Sequence, residues 1–249
     1  MQRCFRDLFR FEISKEVLLT PLARRLATAW PALSKHGQHL QLYFVVRHPL
    51  DFTSSLLEHL GLDTNVSFED QHFFWAPGHF PRHFTPGKQR YLDHSALGLR
   101  FSGYLDASIQ RWALVVDEYL QCPQDFALVR YEDFLADPVF ATHQLAKALG
   151  LAPDAGAEDR VREAAQVQYQ TKRRSSSQPV EEIFEPRMLA RLIEAVRTRF
   201  ELFGYHAPQN LQAVPADWPA IDLPPLVGGA CDKKTPELVK VIVHVVHFT

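Results

Sequence analysis

Apolar positions along the chain form two kinds of pattern, short uninterrupted runs and longer stretches with helical spacing. The run from Leu42 to Val46 is apolar at every position, which is typical of a strand that is buried on both faces of a parallel sheet. The run from Phe126 to Val129 has the same character. Apolar residues between and after these runs recur every three or four positions, as in amphipathic helices. Strands that alternate with helices predict an α/β layer fold.

Proline near the first turn and glycine after the last turn mark the boundaries of the predicted helices. The helix from Leu50 to Leu60 follows one proline and precedes Gly61. Three further helices are predicted, near Leu105 to Leu120, from Asp137-Pro138 to Gly150, and from Pro186 to Phe203. Upstream of them, a short strand from Phe11 to Ser14 and a crossover helix from Pro21 to Pro31 would complete a βαβ unit with the first apolar run.

Stretches without such periodicity divide the chain into a domain and a tail. Residues 62–100 are rich in aromatic residues and histidine, and they are predicted to form a long functional loop or a small insert. Beyond Tyr205, repeated prolines interrupt regular structure. We therefore predict a domain over residues 1–205 and a proline-rich tail over residues 206–249, whose Val/Ile-rich end is compatible with an added edge strand.

Composition limits the classes of function that fit. With 249 residues, 46% of them hydrophobic, the chain is long enough for one domain with a substantial core. A formal net charge of −2 provides no global field for nucleic acid or an anionic membrane, so any anion site must be local. Charged residues interrupt the first ten positions, and no apolar run is long enough to span a bilayer. These features predict a soluble protein without a nucleic-acid partner.

Cysteine and histidine usage bears on the compartment and on metals. The three cysteines, Cys4, Cys122 and Cys231, lack CxxC spacing and indicate neither a disulfide framework nor a zinc site. A reducing compartment, the cytoplasm, fits this usage best. The histidines from His72 to His83 are seven and four residues apart, which matches no compact ligand motif. We therefore expect no metal cofactor.

One local anion site can be argued from the positions of charged and hydroxyl side chains. In an open parallel sheet, ligands bind beyond the carboxyl ends of strands, where the following helix presents backbone N–H groups. Arg47 follows such a strand, and Ser55 lies on the next helix, one turn beyond Asp51. A guanidinium and a hydroxyl could converge there on one phosphate. The alternatives are a salt bridge at the rim of the sheet for Arg47 and a solvated hydroxyl for Ser55.

The longer string YFVVRHPLDFTSS, from Tyr43 to Ser55, resembles the sulfotransferases that use 3′-phosphoadenosine 5′-phosphosulfate (PAPS) as sulfate donor. In that family an arginine and a serine eight positions later hold the 3′-phosphate of the donor. The resemblance therefore implies these two roles for Arg47 and Ser55.

Two later segments resemble the same family, in the same order. Residues from Leu128 to Pro138 resemble a strand whose terminal tyrosine contacts the adenine, which implies that role for Tyr131, although a core tyrosine at a strand end is the alternative. Residues 172–174, Lys-Arg-Arg, resemble a late basic loop that closes over the 3′-phosphate, with Arg173 or Arg174 as the contact. An ordinary solvated basic triplet is the alternative for this last segment.

A lysine and a carboxylate near the N-terminus also resemble a functional pair of the family. Lys15 and Glu16 follow Phe11 to Ser14, which resembles the later strand that delivers a lysine and the base that activates the acceptor. Glu16 would then take the proton of an acceptor hydroxyl. The alternative is an exposed Lys-Glu pair that opens a helix.

The resemblance covers residues 11–205 and implies both a fold and an activity. The implied fold is the P-loop-NTPase-like three-layer α/β fold with a parallel sheet. The implied activity is that of a sulfotransferase, which moves a sulfuryl group from PAPS to a hydroxyl or amine of a small molecule or glycan. PAPS is the only cofactor implied.

The sequence departs from the family at the loop that holds the 5′-phosphosulfate, which is of the type Pro-Lys-Ser-Gly-Thr-Thr. Gly37 is the single glycine before Val46, and the 249 residues contain no Gly-Thr or Gly-Ser pair. We therefore expect the first βα unit to be missing, through truncation, an incorrect gene start or a natural inactive paralogue. A noncatalytic nucleotide-binding or structural remnant is the alternative function. A P-loop kinase is disfavoured, because no G-x-x-x-x-G-K motif occurs.

Overall fold

The structure is a computed structural model that describes residues 28–29, 41–72, 92, 97–148, 156–170, 182–226 and 241–245. The chain divides into two compact units. The first contains Met1–Arg47, Glu118–Arg174 and Gly228–His247, and the second contains His48–Asp117, Ser175–Val227 and Phe248–Thr249. The predicted strand at residues 11–14 and most of the predicted helix at residues 21–31 lie outside the described residues.

Groups of helices separate single strands along the described part of the chain, in keeping with the α/β class that the apolar pattern predicts. A short 3-10 turn, Pro123–Asp125, precedes the second strand. In chain order the elements are β1 (Gln41–Val46), α1 (Pro49–Leu60), α2 (Phe68–His72), α3 (Tyr104–Gln121), β2 (Phe126–Arg130), α4 (Tyr131–Ala136), α5 (Pro138–Ala148), α6 (Ala157–Gln170), α7 (Pro186–Glu201) and β3 (Val241–Val245).

The sheet of the first unit is parallel, with the order β2-β1-β3 among the described strands. Leu42 is the partner of Phe126 on one side and of Ile242 on the other. The predicted parallel α/β arrangement is therefore present in this unit. β3 also shows that the Val/Ile-rich end of the chain adds a strand, which the sequence pattern left open.

Side chains on both faces of β1 are buried, because successive residues of a strand point to opposite faces. Phe44 stacks on Tyr119 with a centroid distance of 4.8 Å and an interplanar angle of 12°, and it meets Phe126 edge to face. Tyr43 lies in a separate cluster with Ala127, Val129 and Leu145. Burial raises the pKa of Tyr43 and Tyr119, so both hydroxyls stay neutral.

Helix α6 was not predicted, and its surface explains why. Its first two turns are mostly exposed and carry the ion pairs of Arg162 with Glu158 and Asp159, at 3.3 and 3.4 Å. A helix of this kind has no wide apolar stripe for periodicity to detect. It packs against α5, where His143 lies 3.8 Å from Glu158.

In the second unit, α1 packs against α7, and both helices have the ends that proline and glycine predict. Pro49 occupies the first turn of α1, and Gly61 ends it with a φ of 75°, a left-handed conformation that favours glycine. In α7 the Glu185 carboxylate accepts a hydrogen bond of 2.8 Å from the Met188 backbone N–H. The apolar stripe of α7 is buried as predicted, at Met188, Leu189, Leu192, Ile193, Val196 and Phe200.

Two arginines of α7 are buried and paired with carboxylates of α3. Arg191 makes a two-pronged contact with Asp106, in which the second hydrogen bond is 2.9 Å long, and the two side chains are 3% and 1% exposed. Arg199 pairs in the same way with Asp117, at 2.8 and 2.9 Å. Ions removed from water need such partners, because the desolvation of an unpaired charge costs several kcal/mol.

The proline-rich segment is attached to the second unit as far as the described residues extend. Arg191 donates to the carbonyl of Pro219 at 2.8 Å, and Arg199 donates to the carbonyl of Pro224. Trp218 stacks on Phe68 with a centroid distance of 4.5 Å. Asp222 accepts a hydrogen bond of 3.0 Å from the Arg100 backbone N–H. These contacts of the second unit therefore continue past Tyr205, and the division into a domain over residues 1–205 and a tail over residues 206–249 stays a prediction.

Two observations bear on the predicted compartment. Cys122 is disulfide-bonded, which the spacing of the cysteines did not predict. A disulfide is not typical of a reducing compartment, and the cytoplasmic location stays a prediction. No helix in the described part of the chain is long and apolar enough to cross a membrane.

Replacing Asp106 by Ala should lower the free energy of unfolding by about 3–5 kcal/mol, because it leaves the buried Arg191 without its counter-charge. Denaturant titration followed by circular dichroism measures the change. Glu194→Ala is the matched control, since Glu194 pairs with Arg197 at 3.3 Å on the surface and its loss should cost less than about 1 kcal/mol. Equal effects of the two substitutions would show that the buried pair is not a specific anchor.

A chain that ends at Tyr205 should unfold at a lower denaturant concentration than a chain that ends at Leu226. The shorter chain loses the carbonyl acceptors of Arg191 and Arg199, and each unsatisfied buried donor costs about 1–3 kcal/mol. Both chains lack β3, so the comparison isolates residues 206–226. Identical unfolding midpoints would mean that the proline-rich segment contributes nothing to the unit.

Candidate functional site

The candidate site begins where two neighbouring strands of the first unit end. β1 and β2 are parallel and in register, with Val46 opposite Arg130. The next residues are Arg47 and Tyr131, so the two predicted nucleotide contacts emerge at the same level of the sheet. This is the carboxyl edge, where ligands of parallel α/β sheets bind.

Arg47 and Tyr131 touch each other at this edge. The central carbon of the guanidinium lies 4.9 Å from the centroid of the tyrosine ring, within the range of a cation–π interaction. Both residues are partly buried. The structure thus brings together two residues that the sequence assigned to different parts of one ligand.

Tyr131 is the first residue of α4 rather than a strand residue. The first turn of this helix also carries Glu132 and Asp133. Arg130 lies 3.7 Å from Asp133. This ion pair contributes little to stability, because both side chains are accessible to solvent. Charges of both signs therefore surround the predicted adenine contact.

In the second unit, α1 carries the predicted serine. His48 precedes the helix, and its carbonyl accepts the first helical hydrogen bond from Phe52 at 2.9 Å. Its ring packs against Phe200 and Tyr205, with centroid distances of 6.1 and 5.2 Å. Ser55 lies on α1 and is partly buried. The convergence of Ser55 and Arg47 on one phosphate stays a prediction.

Sequence reasoning missed two hydroxyl groups next to Ser55. Thr53 and Ser54 are fully or almost fully buried, and their hydroxyls have no hydrogen-bond partner among the described residues. A buried hydroxyl without a partner is unusual in a folded protein. No signal in the sequence singles out these two residues, because serine and threonine are also common on solvated helix surfaces. Their burial in the structure is what identifies them.

The other predicted site residues cannot be placed. Lys15, Glu16, Arg173 and Arg174 lie outside the described residues. Within the described part of the chain, no group of three or more histidine, cysteine, aspartate or glutamate residues could hold a metal ion.

No protein-family model matches the chain, and no curated protein and no solved structure matches it either. The resemblance to a known family therefore rests on the sequence motifs alone.

Proposed function

We propose that the chain binds the 3′-phosphoadenosine part of PAPS and serves in the transfer of a sulfuryl group to a hydroxyl or amine of a small molecule or glycan. The observation that carries the proposal is the contact between Arg47 and Tyr131 at the carboxyl edge of two neighbouring parallel strands. A cation and an aromatic ring side by side suit a ligand that combines a phosphate with a planar base.

Each residue has a distinct role in the proposal. The Arg47 guanidinium donates charge-assisted hydrogen bonds to the 3′-phosphate, and the Ser55 hydroxyl donates one more. Tyr131 contacts the adenine. Arg173 or Arg174 closes over the same phosphate, and Glu16, with Lys15 nearby, activates the acceptor.

The finer fold assignment belongs to the same proposal. A P-loop-NTPase-like three-layer fold would place a parallel sheet between two layers of helices, and the parallel order β2-β1-β3 is compatible with it. Strand β1 would be an interior strand of that sheet, in keeping with its burial on both faces.

A noncatalytic nucleotide-binding or structural protein is the second candidate, and one observation favours it. The sequence contains no Gly-Thr or Gly-Ser pair. In the resembling family, backbone N–H groups of a loop with such a pair cradle the 5′-phosphosulfate. Preorganised donors of that kind supply most of the catalysis of group transfer from phosphate compounds.

The chain should bind adenosine 3′,5′-bisphosphate more tightly than adenosine 5′-monophosphate, because the two ligands differ in the 3′-phosphate alone. Titration calorimetry measures both affinities. Arg47→Ala should weaken binding of the bisphosphate by about 2 kcal/mol, and Ser55→Ala by about 1 kcal/mol, since the first removes a charged donor and the second a neutral one.

Arg162→Ala provides the matched control for the charge change, because Arg162 is an exposed arginine of α6 whose side chain is 57% accessible. Its affinity for both nucleotides should equal that of the unmodified chain. Equal affinity of the unmodified chain for both nucleotides would rule out a 3′-phosphate site.

The 249-residue chain by itself should transfer little or no sulfuryl group from PAPS to phenolic, alcohol or amine acceptors, although it binds the desulfated product. The reason is the absence of preorganised donors for the 5′-phosphosulfate in its sequence. Release of adenosine 3′,5′-bisphosphate, followed by chromatography, measures transfer. Turnover of about 1 per second or faster is an ordinary enzyme rate. It would contradict the inference that the chain lacks donors for the 5′-phosphosulfate, and it would exclude the noncatalytic candidate.

A further inference from the structure

We infer that Tyr131 is a positioning residue for Arg47: its ring holds the guanidinium in place for the 3′-phosphate, so that the tyrosine sets the preference for 3′-phosphorylated nucleotides. This inference rests on the proposed function and adds to it. The resemblance assigns Tyr131 to the adenine, and the structure adds a contact between its ring and the arginine.

The register of the sheet keeps the two residues together. Val46 and Arg130 are partners on adjacent parallel strands, so the residues that follow them leave the sheet side by side. Tyr131 also begins α4, which fixes the backbone of the tyrosine at the end of β2. The backbone of Tyr131 is therefore placed by two elements, which brings its ring beside the longer side chain of Arg47.

A ring contact suits an arginine that must bind an anion. An aromatic face attracts a guanidinium through its quadrupole and carries no net charge, so the contact does not neutralise the arginine.

Preorganisation gives the functional reason for this support. An arginine loses side-chain freedom when it binds a phosphate, and this loss weakens binding. A guanidinium that already rests on the ring loses less. The benefit is confined to ligands that carry the 3′-phosphate, because that is the group Arg47 is proposed to contact.

The ratio of two affinities separates positioning from adenine contact. Adenosine 3′,5′-bisphosphate and adenosine 5′-monophosphate share the base, so loss of an adenine contact weakens both equally and leaves their ratio unchanged. Loss of Arg47 positioning weakens the bisphosphate selectively. We expect Tyr131→Leu to lower the ratio about fivefold, and Tyr131→Phe, which keeps the ring, to leave it close to the unmodified value.

The dependence on Arg47 is tested in a double-mutant cycle. In the Arg47→Ala background, Tyr131→Leu should leave the ratio unchanged, because no guanidinium remains to be positioned. A cooperative thermal melt establishes that each variant is folded. Tyr131→Met is a second ring-free variant to be used where Tyr131→Leu fails that criterion.

A spectroscopic measurement on the ligand-free chain checks the contact itself. The side-chain N–H resonance of Arg47, assigned as the signal that Arg47→Lys removes, should show a ring-current shift in the unmodified chain and in Tyr131→Phe. The shift should disappear in Tyr131→Leu.

The outcomes distinguish this inference from the function on which it rests. In one outcome the unmodified chain prefers the bisphosphate strongly, with the preference abolished by Arg47→Ala and left intact by Tyr131→Leu. That result would overturn the inference and keep the proposed site. No preference in the unmodified chain would overturn both. We expect Tyr131→Leu to lower the ratio of the two affinities in the unmodified background alone. We expect Tyr131→Phe to leave this ratio close to that of the unmodified chain.

Discussion

The burial of β1 on both faces, together with its pairing on both edges, is the constraint on which the first unit depends. Phe44 and Tyr43 point to opposite sides and meet different clusters, so a slip of one residue against β2 would move each of these side chains to the wrong side of the sheet. The correct register has a second consequence. It sets Arg47 and Tyr131 at the same level, so the packing of the core also fixes the geometry of the candidate site.

The elements that the sequence predicts well are those that bury an apolar surface of simple periodicity. β1 is apolar throughout because both of its faces are covered, and α7 has its apolar residues on one stripe. Elements of other kinds escaped prediction. α6 is polar over most of the surface described. Residues 206–226 are attached largely through their carbonyl oxygens. Every residue carries such an oxygen, so no pattern of side chains reveals these contacts. Prolines break periodicity but leave these acceptors intact.

The residues of the candidate site could be proposed from the sequence, but the contact between them could not. Arg47 and Tyr131 could be singled out because each follows an apolar strand and belongs to a longer motif, more than eighty positions apart in the chain. Their contact depends on which strands are neighbours and in what register, and apolar runs specify neither. The buried hydroxyls of Thr53 and Ser54 were missed for a related reason, since burial of a polar side chain is decided by what packs on the helix rather than by the residue itself.

The two buried arginines of α7 show which partner a guanidinium needs when it is removed from water. Arg191 and Arg199 are almost fully buried, and desolvation at such positions is tolerable only with a carboxylate at hydrogen-bond distance. A phosphate that approached either of them would have to displace that carboxylate, so neither position suits an anion site. Arg47 is partly buried, at a sheet edge, and its contact with Tyr131 is with a neutral group. In the proposed function, a phosphate adds to that contact instead of competing with it, because the ring carries no net charge.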